Sequence, residues 1–197
     1  CSSDLFGMNR RFDPRTLAFL GMMTALVFAS NYARIIMPIA IGGRTSFTLA
    51  NIVCVLSGLL LGPIGGLASG LGSALYDLTN PLYAAECWIT FLTKGVMGLV
   101  AGLLVRRQAR EGELSYARCL AGAVCGCLAY YVLYFAKSFF YDGLLVEGLQ
   151  PGVALAALPL KIPASVFNAS VAIIAAPPLA LALQAALKRS GLTLRRA

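Results

Sequence analysis

TSFTLANIVCVLSGLLLGPIGGLASGLGSALY, Thr45 to Tyr76, is the longest stretch of this chain without a charged residue. Gly62, Pro63, Gly65 and Gly66 interrupt it, so it reads as two apolar helices joined by a tight turn. A helix crosses roughly 30 Å of hydrocarbon with about 20 mostly apolar residues. Only helices and closed barrels satisfy their backbone polar groups at that depth. The apolar runs here are continuous rather than alternating, which selects helices over a barrel.

Composition points the same way. Of 197 residues, 59% are hydrophobic and 12% charged, with a mean hydropathy of +0.79. An ordinary soluble domain carries about 25% charged residues. The length leaves room for about six spans and little else, so any chemistry must sit inside the bundle or on its loops. That favours binding or transport over hydrolysis. The net charge of +8 does not indicate nucleic acid, because the basic residues lie at membrane flanks. Cys1, Cys54, Cys87, Cys119, Cys125 and Cys127 have no histidine to pair with, and Cys125 and Cys127 fall on different helix faces. They read as small hydrophobes, with no metal, disulfide or cofactor expected. The opening residues, from Cys1, read as a truncated or processed cytoplasmic tail rather than a cleavable signal peptide.

Working along the chain, the first span is expected over Arg15 to Met37, followed by a loop from Pro38 to Ser46. The second runs from Phe47 to Leu61 and the third from Ile64 to Leu78, both short enough to suggest a tilted hairpin. Leu82 to Cys87 is a loop, and the fourth span covers Trp88 to Val105. Arg106 to Glu113 is the most polar segment and reads as a solvated loop. The fifth span runs from Tyr116 to about Phe140, then a long loop from Tyr141 to Leu158. The sixth, Pro159 to Leu187, should kink or break at Pro177-Pro178. The expected organisation is therefore a tail over 1–14, a six-helix transmembrane domain over 15–187 and a second tail over 188–197.

Basic residues orient it. The first tail (Arg10, Arg11, Arg15), the Arg106–Glu113 segment and the last tail (Lys188, Arg189, Arg195, Arg196) fall on one side of a six-span topology. By the positive-inside rule that side is cytoplasmic, with both termini inside. The expected fold class is an all-α, multi-pass integral membrane protein, a six-transmembrane-helix bundle with both termini cytoplasmic.

Small residues recur at helical spacing. Ala18, Gly21, Ala25, Ala29 and Ala33 occupy an arc of about 120° on the first helix. A second series, Gly58, Gly62, Gly66, Gly70 and Ala74, crosses the turn, and Gly98 with Gly102 adds a third. Such stripes let backbones approach closely, either inside the bundle or against a partner; composition does not separate the two.

Polar residues at depth mark candidate binding positions, since a charge inside a span costs at least a few kcal/mol. Lys94 lies nearly two turns into the fourth helix and reads as a ligand contact or a buried pair with Asp77, against outward snorkelling. Glu86 sits in the adjoining loop, and Trp88 is an interfacial belt residue or a stacking platform. Lys137 lies one turn from the outer end of the fifth helix, where snorkelling competes with ligand contact. Asn168, about two turns inside the sixth, serves ligand or an interhelical bond. Asn31 and Arg34 lie toward the outer end of the first span. The outer halves of several spans thus carry polar groups and the inner halves almost none, as an outward-facing pocket would require. The loops Pro38–Ser46 and Tyr141–Leu158, with Gly42, Gly43, Gly143, Gly148 and Gly152, would form its lid.

FTLANIVCVLSGLLLGPIGGLASGLGSALYDLTNPLYAAECWITFLTKGVMGLVAGLL, Phe47 to Leu104, resembles the membrane-embedded substrate-binding S components of energy-coupling factor (ECF) transporters. The similar elements are the Leu61-Gly62-Pro63 turn, the glycine-rich third helix ending in Tyr76-Asp77-Leu78, and Lys94-Gly95-x-x-Gly98. The branch with riboflavin- and pyrimidine-type vitamin carriers is the nearest in likeness. The resemblance implies a subunit that captures a vitamin or related micronutrient outside and hydrolyses no ATP itself. It implies as partners a membrane coupling subunit and two cytoplasmic ATPases, and the absence of a Walker sequence agrees with that. It also implies docking through an Ala-x-x-x-Ala motif on the first helix, matched here by Gly21-x-x-x-Ala25 within the stripe of Ala18, Gly21, Ala25 and Ala29. On the same footing Asn31, Asp77, Glu86, Trp88, Lys94, Lys137 and Asn168 are the candidate substrate contacts. Two other classes stand beside it: a self-sufficient small transporter or channel coupled to an ion through Asp77 and Lys94, and a membrane enzyme acting on lipids. The second lacks histidine and has only 8 scattered acidic residues to work with.

Overall fold

The computed structural model describes residues 14–38, 44–111 and 114–190. The elements run α1 (Pro14–Ser30), β1 (Arg34–Pro38), β2 (Arg44–Thr48), α2 (Ala50–Leu61), α3 (Gly65–Thr79), α4 (Cys87–Glu111), α5 (Tyr116–Lys137), a π-helix (Ser138–Val146), α6 (Pro151–Ala157) and α7 (Ile162–Arg189). Four helical stretches, Ala50–Thr79, Ala84–Arg106, Tyr116–Val146 and Pro151–Arg189, are long and apolar enough to cross a membrane, and α1 is a shorter apolar helix. Large apolar side chains such as Leu71, Leu92, Leu128 and Ile174 are exposed on their outer faces. Lipid, not water, suits such a surface.

The charge-free stretch folds back on itself as expected. Gly62 takes φ 71°, a conformation that residues with a Cβ rarely adopt, and a 3₁₀ turn over Gly62–Ile64 leads into α3. The two arms are sealed by hydroxyls: Ser57 and Ser69 share a hydrogen bond of 2.7 Å, and Ser69 Oγ donates to Cys54 O at 2.9 Å. Each arm is short, since 12 residues of α2 span about 18 Å at about 1.5 Å per residue. α2 and α3 both pack on α4 with backbones nearly touching. A Cβ on Gly58 would collide with the Gly98 carbonyl oxygen, and one on Gly66 would lie 2.7 Å from Gly95 O. The second and third small-residue series are therefore internal packing.

Several expected boundaries move. The first span does not continue to Met37: α1 ends at Ser30, and Arg34–Pro38 pairs antiparallel with Arg44–Thr48, placing Arg34 opposite Thr48 and Ile35 opposite Phe47. β-branched Ile35 and Ile36 favour extended backbone, Pro38 restricts Met37 to it, and Phe and Thr on the partner strand favour it too. Phe47 and Thr48 consequently belong to this hairpin, not to the second span. Gly42 and Gly43 lie outside the described residues, as do 1–13, Gly112, Glu113 and 191–197.

The expected Arg106–Glu113 loop is helical through Glu111, because Arg, Gln, Ala and Glu are good helix formers with no breaker before Gly112. Tyr141 to Leu158 is not a loop either. The chain passes from α5 straight into the π-helix, turns at Gly148 (φ 62°) and forms α6. Gly143 is buried, and a Cβ there would meet Ala154 Cβ at 2.9 Å, so it serves close packing rather than flexibility. α7 is helical without interruption through Pro177 and Pro178, so of the kink or break expected there the break does not occur. Pro177 is fully buried, and packing of α7 against α2 and α5 holds the helix across the missing donors. The core of Met23, Val27, Leu59, Met97, Ala101, Ala123 and Ala176 joins α1 to α5 and α7.

Candidate functional site

One cavity opens at the end of the bundle where α1 and α3 finish and α4 and α7 begin. It is lined by Arg34, Asp77, Glu86 and Lys94, by Tyr130, Tyr131, Tyr134, Lys137 and Asp142 from α5 and the π-helix, and by Thr48, Ser165 and Asn168 from the hairpin and α7. The charged residues Arg34, Asp77, Glu86, Lys94, Lys137 and Asp142, drawn from separate elements, thus converge on one place.

Lys94 is a buried charge in its lining. The side chain is 3% exposed, its ammonium donates to Asn51 Oδ1 and it lies 4.3 Å from the Tyr130 ring centroid. Asn51 turns its amide nitrogen to Tyr131 Oη at 3.3 Å. One amide at the head of α2 therefore links α4 to α5. Asp77 is equally buried, with its Oδ1 lacking a hydrogen-bond partner, and no ion pair joins it to Lys94 among the described residues.

At the mouth, Lys137 bridges Glu86 at 2.6 Å and Asp142 at 2.8 Å. Asp142 in turn reaches Lys161 at 3.3 Å, and Lys161, 1% exposed, also donates to Ser138 Oγ. This alternating chain of charges ties α4, α5, the π-helix and the start of α7 together. The wider π-helical turn places Asp142 between the two lysines. Opposite, the Arg34 guanidinium lies 4.9 Å from the Tyr76 ring centroid and 5.3 Å from that of Tyr83, and donates to Asn31 Oδ1 at 2.7 Å.

Five of the expected contact residues, Asp77, Glu86, Lys94, Lys137 and Asn168, line this cavity; Asn31 and Trp88 do not. Asn31 is buried behind Arg34, with Nδ2 on Val27 O at 2.8 Å, where it supports the end of α1. Trp88 is 57% exposed and meets the Tyr141 ring edge-on at 6.4 Å. Asn168 spends its amide on the hairpin, donating to Ser46 O at 2.7 Å and accepting from Thr48 N at 2.9 Å.

Sequence reasoning missed the tyrosines and Asn51. Tyr130, Tyr134 and Lys137 sit at i, i+4 and i+7 of α5, a spacing that puts them on one face and was there to be read. Asn51 was the amide inside the charge-free stretch.

The first-helix stripe behaves differently from the other two. Ala18, Gly21, Ala25 and Ala29 are all exposed, and nothing lies within 4 Å of a Cβ built on Gly21. The buried face of α1 is Thr16, Met23 and Val27.

A polar, tyrosine-walled cavity set into one end of an apolar helical bundle defines a multi-pass membrane protein that binds a small solute. No group of His, Cys, Asp and Glu among the described residues is arranged to hold a metal ion. The model of the family described as the ECF-type riboflavin transporter, S component, matches residues 11–185, and the chain belongs to that family. It is therefore a transporter S component, a class of substrate-binding subunit. It is also similar to an uncharacterized protein of Pyrococcus woesei, 31% identical over 94 residues. That alignment covers 47% of this chain and 59% of the relative.

Proposed function

We propose that this protein is the substrate-specificity subunit of an ECF-type ABC transporter in the bacterial plasma membrane. It captures a vitamin or related micronutrient from outside and delivers it inward by associating with a membrane coupling subunit and two cytoplasmic ATPase subunits. The observation that carries the reading is the convergence of Lys94, the three α5 tyrosines and the charged mouth on one cavity in a chain of this family. A flat ring fits between aromatic walls, and the family's description names riboflavin, which makes that compound the first to test.

The topology is six crossings made by α1, α2, α3, α4, α5 and α7, with both terminal tails, 1–14 and 188–197, cytoplasmic. Arg15, Arg106, Arg118, Lys188 and Arg189 all lie toward the end of the bundle opposite the cavity, which supports an outward-facing mouth. The exposed stripe of Ala18, Gly21, Ala25 and Ala29 is the docking face for the coupling subunit, where small side chains permit close helix approach.

Mass spectrometry of small molecules that copurify with the detergent-solubilised protein tests the binding role. Uptake of the compound found should require co-expression of a coupling module. Concentrative uptake by this chain alone would mean a self-sufficient transporter instead.

A further inference from the structure

Among the described residues, two buried side-chain polar atoms have no hydrogen-bond partner, Arg34 Nε and Asp77 Oδ1. Both residues line the cavity. One orphan is a donor and the other an acceptor, and each is costly to leave unmade inside an apolar bundle. The amides nearby are already committed, Asn51 to Lys94 and Tyr131, and Asn168 to Ser46 and Thr48. The Arg34 guanidinium is held by its bond to Asn31 Oδ1 at 2.7 Å and by the rings of Tyr76 and Tyr83, with Nε left unused. Asp77 is 3% exposed, and no ion pair joins it to Arg34, although Arg34 and Lys94 both lie near enough to act on its charge. The two orphans therefore come from separate elements, β1 and α3, and do not satisfy each other.

We infer that Arg34 and Asp77 recognise a cyclic amide edge of the cargo, with a ring carbonyl accepting from Arg34 Nε–H and the adjacent ring N–H donating to Asp77 Oδ1. Lactam, imide and ureide rings fix those two groups side by side, so one ligand edge satisfies both orphans at once. Lys94 spends one of its three ammonium donors on Asn51, which leaves it donors for a second carbonyl flanking the same N–H, as an imide carries. This deepens the S-component reading and rests on it. The tyrosines of α5 accept a flat body without demanding a particular pattern of hydrogen bonds. Arg34 and Asp77 do demand one, because a ring that lacks the N–H leaves a buried carboxylate oxygen unpaired.

The test uses the purified full chain in detergent with ring pairs that differ by one methyl group on the amide nitrogen: riboflavin against N3-methylriboflavin, and 1-methylthymine against 1,3-dimethylthymine. In at least one pair the N–H compound should bind tenfold or more tighter than its methylated counterpart by calorimetry. Asp77→Leu should abolish that preference, while Asp77→Asn, which keeps an oxygen acceptor in the same shape, should keep it. Equal affinity within both pairs, no binding by any of the four compounds, or a preference that survives Asp77→Leu overturns the assignment. The comparison on the unaltered chain decides it even where a variant does not fold. The S-component reading fails separately, if the protein does not assemble with a coupling subunit.

Discussion

The Thr48 backbone N–H donates to Asn168 Oδ1 at 2.9 Å across most of the chain's length, and the same amide donates to Ser46 O at 2.7 Å. Asn168 thus pairs with β2 as a neighbouring strand would, and latches the hairpin to α7 beside the cavity. Asn168→Ala leaves the buried Thr48 N–H without its acceptor, which costs about 1–3 kcal/mol. The expected outcome is a lower melting temperature in detergent together with weaker ligand binding, because the hairpin bounds the site. Unchanged melting and affinity would sink the latch.

Asp142 stands between two lysines. Asp142→Asn leaves Lys137 its bridge to Glu86 but strips Lys161 of its anion, and an orphaned buried charge costs about 3–5 kcal/mol. Adding Lys161→Met should recover most of that loss. Thermal unfolding of the two single variants and the double variant checks it, and a double variant no more stable than Asp142→Asn contradicts the pairing.

Two glycines predict opposite results for the same methyl group. Gly58→Ala drives a Cβ into the Gly98 carbonyl oxygen, so α2 and α4 must separate, at a cost of about 1–3 kcal/mol. Gly21→Ala meets open space and should leave stability near wild type, within about 0.5 kcal/mol. Equal melting temperatures for the two variants would contradict the close packing at Gly58.

The docking face makes a sharper demand. Gly21→Trp or Ala25→Trp should abolish uptake in cells that carry the coupling module, while the isolated protein keeps its ligand affinity within about twofold, since α1 presents these positions away from the cavity. Parallel loss of binding would show that the stripe supports the site instead.

For the topology, Gln108→Cys in a background lacking the six native cysteines should resist membrane-impermeant maleimide applied to intact cells and react after permeabilisation. Strong labelling from outside would reverse the orientation.

How much of this was legible beforehand depended on how local the signal was. Long charge-free runs, the Gly62-Pro63 turn and the clustering of polar residues toward one end of the spans were all readable, because lipid forces each span to satisfy itself from its own sequence. The amino acids alone therefore determined an apolar helical bundle, the hairpin at its centre and the end at which a site would lie. They did not determine where α1 gives way to a strand, since the extended backbone of Arg34–Pro38 exists through its pairing with Arg44–Thr48. Only the tertiary structure decided the partners of the polar groups. Lys94 was drawn toward Asp77 by their opposite charges, yet it bonds to Asn51, because helix rotation and approach distance set which groups meet. The three small-residue stripes look alike in sequence, but two are pressed between α2, α3 and α4 and the third faces outward. Spacing records which residues share a face; only packing in three dimensions decides what that face touches.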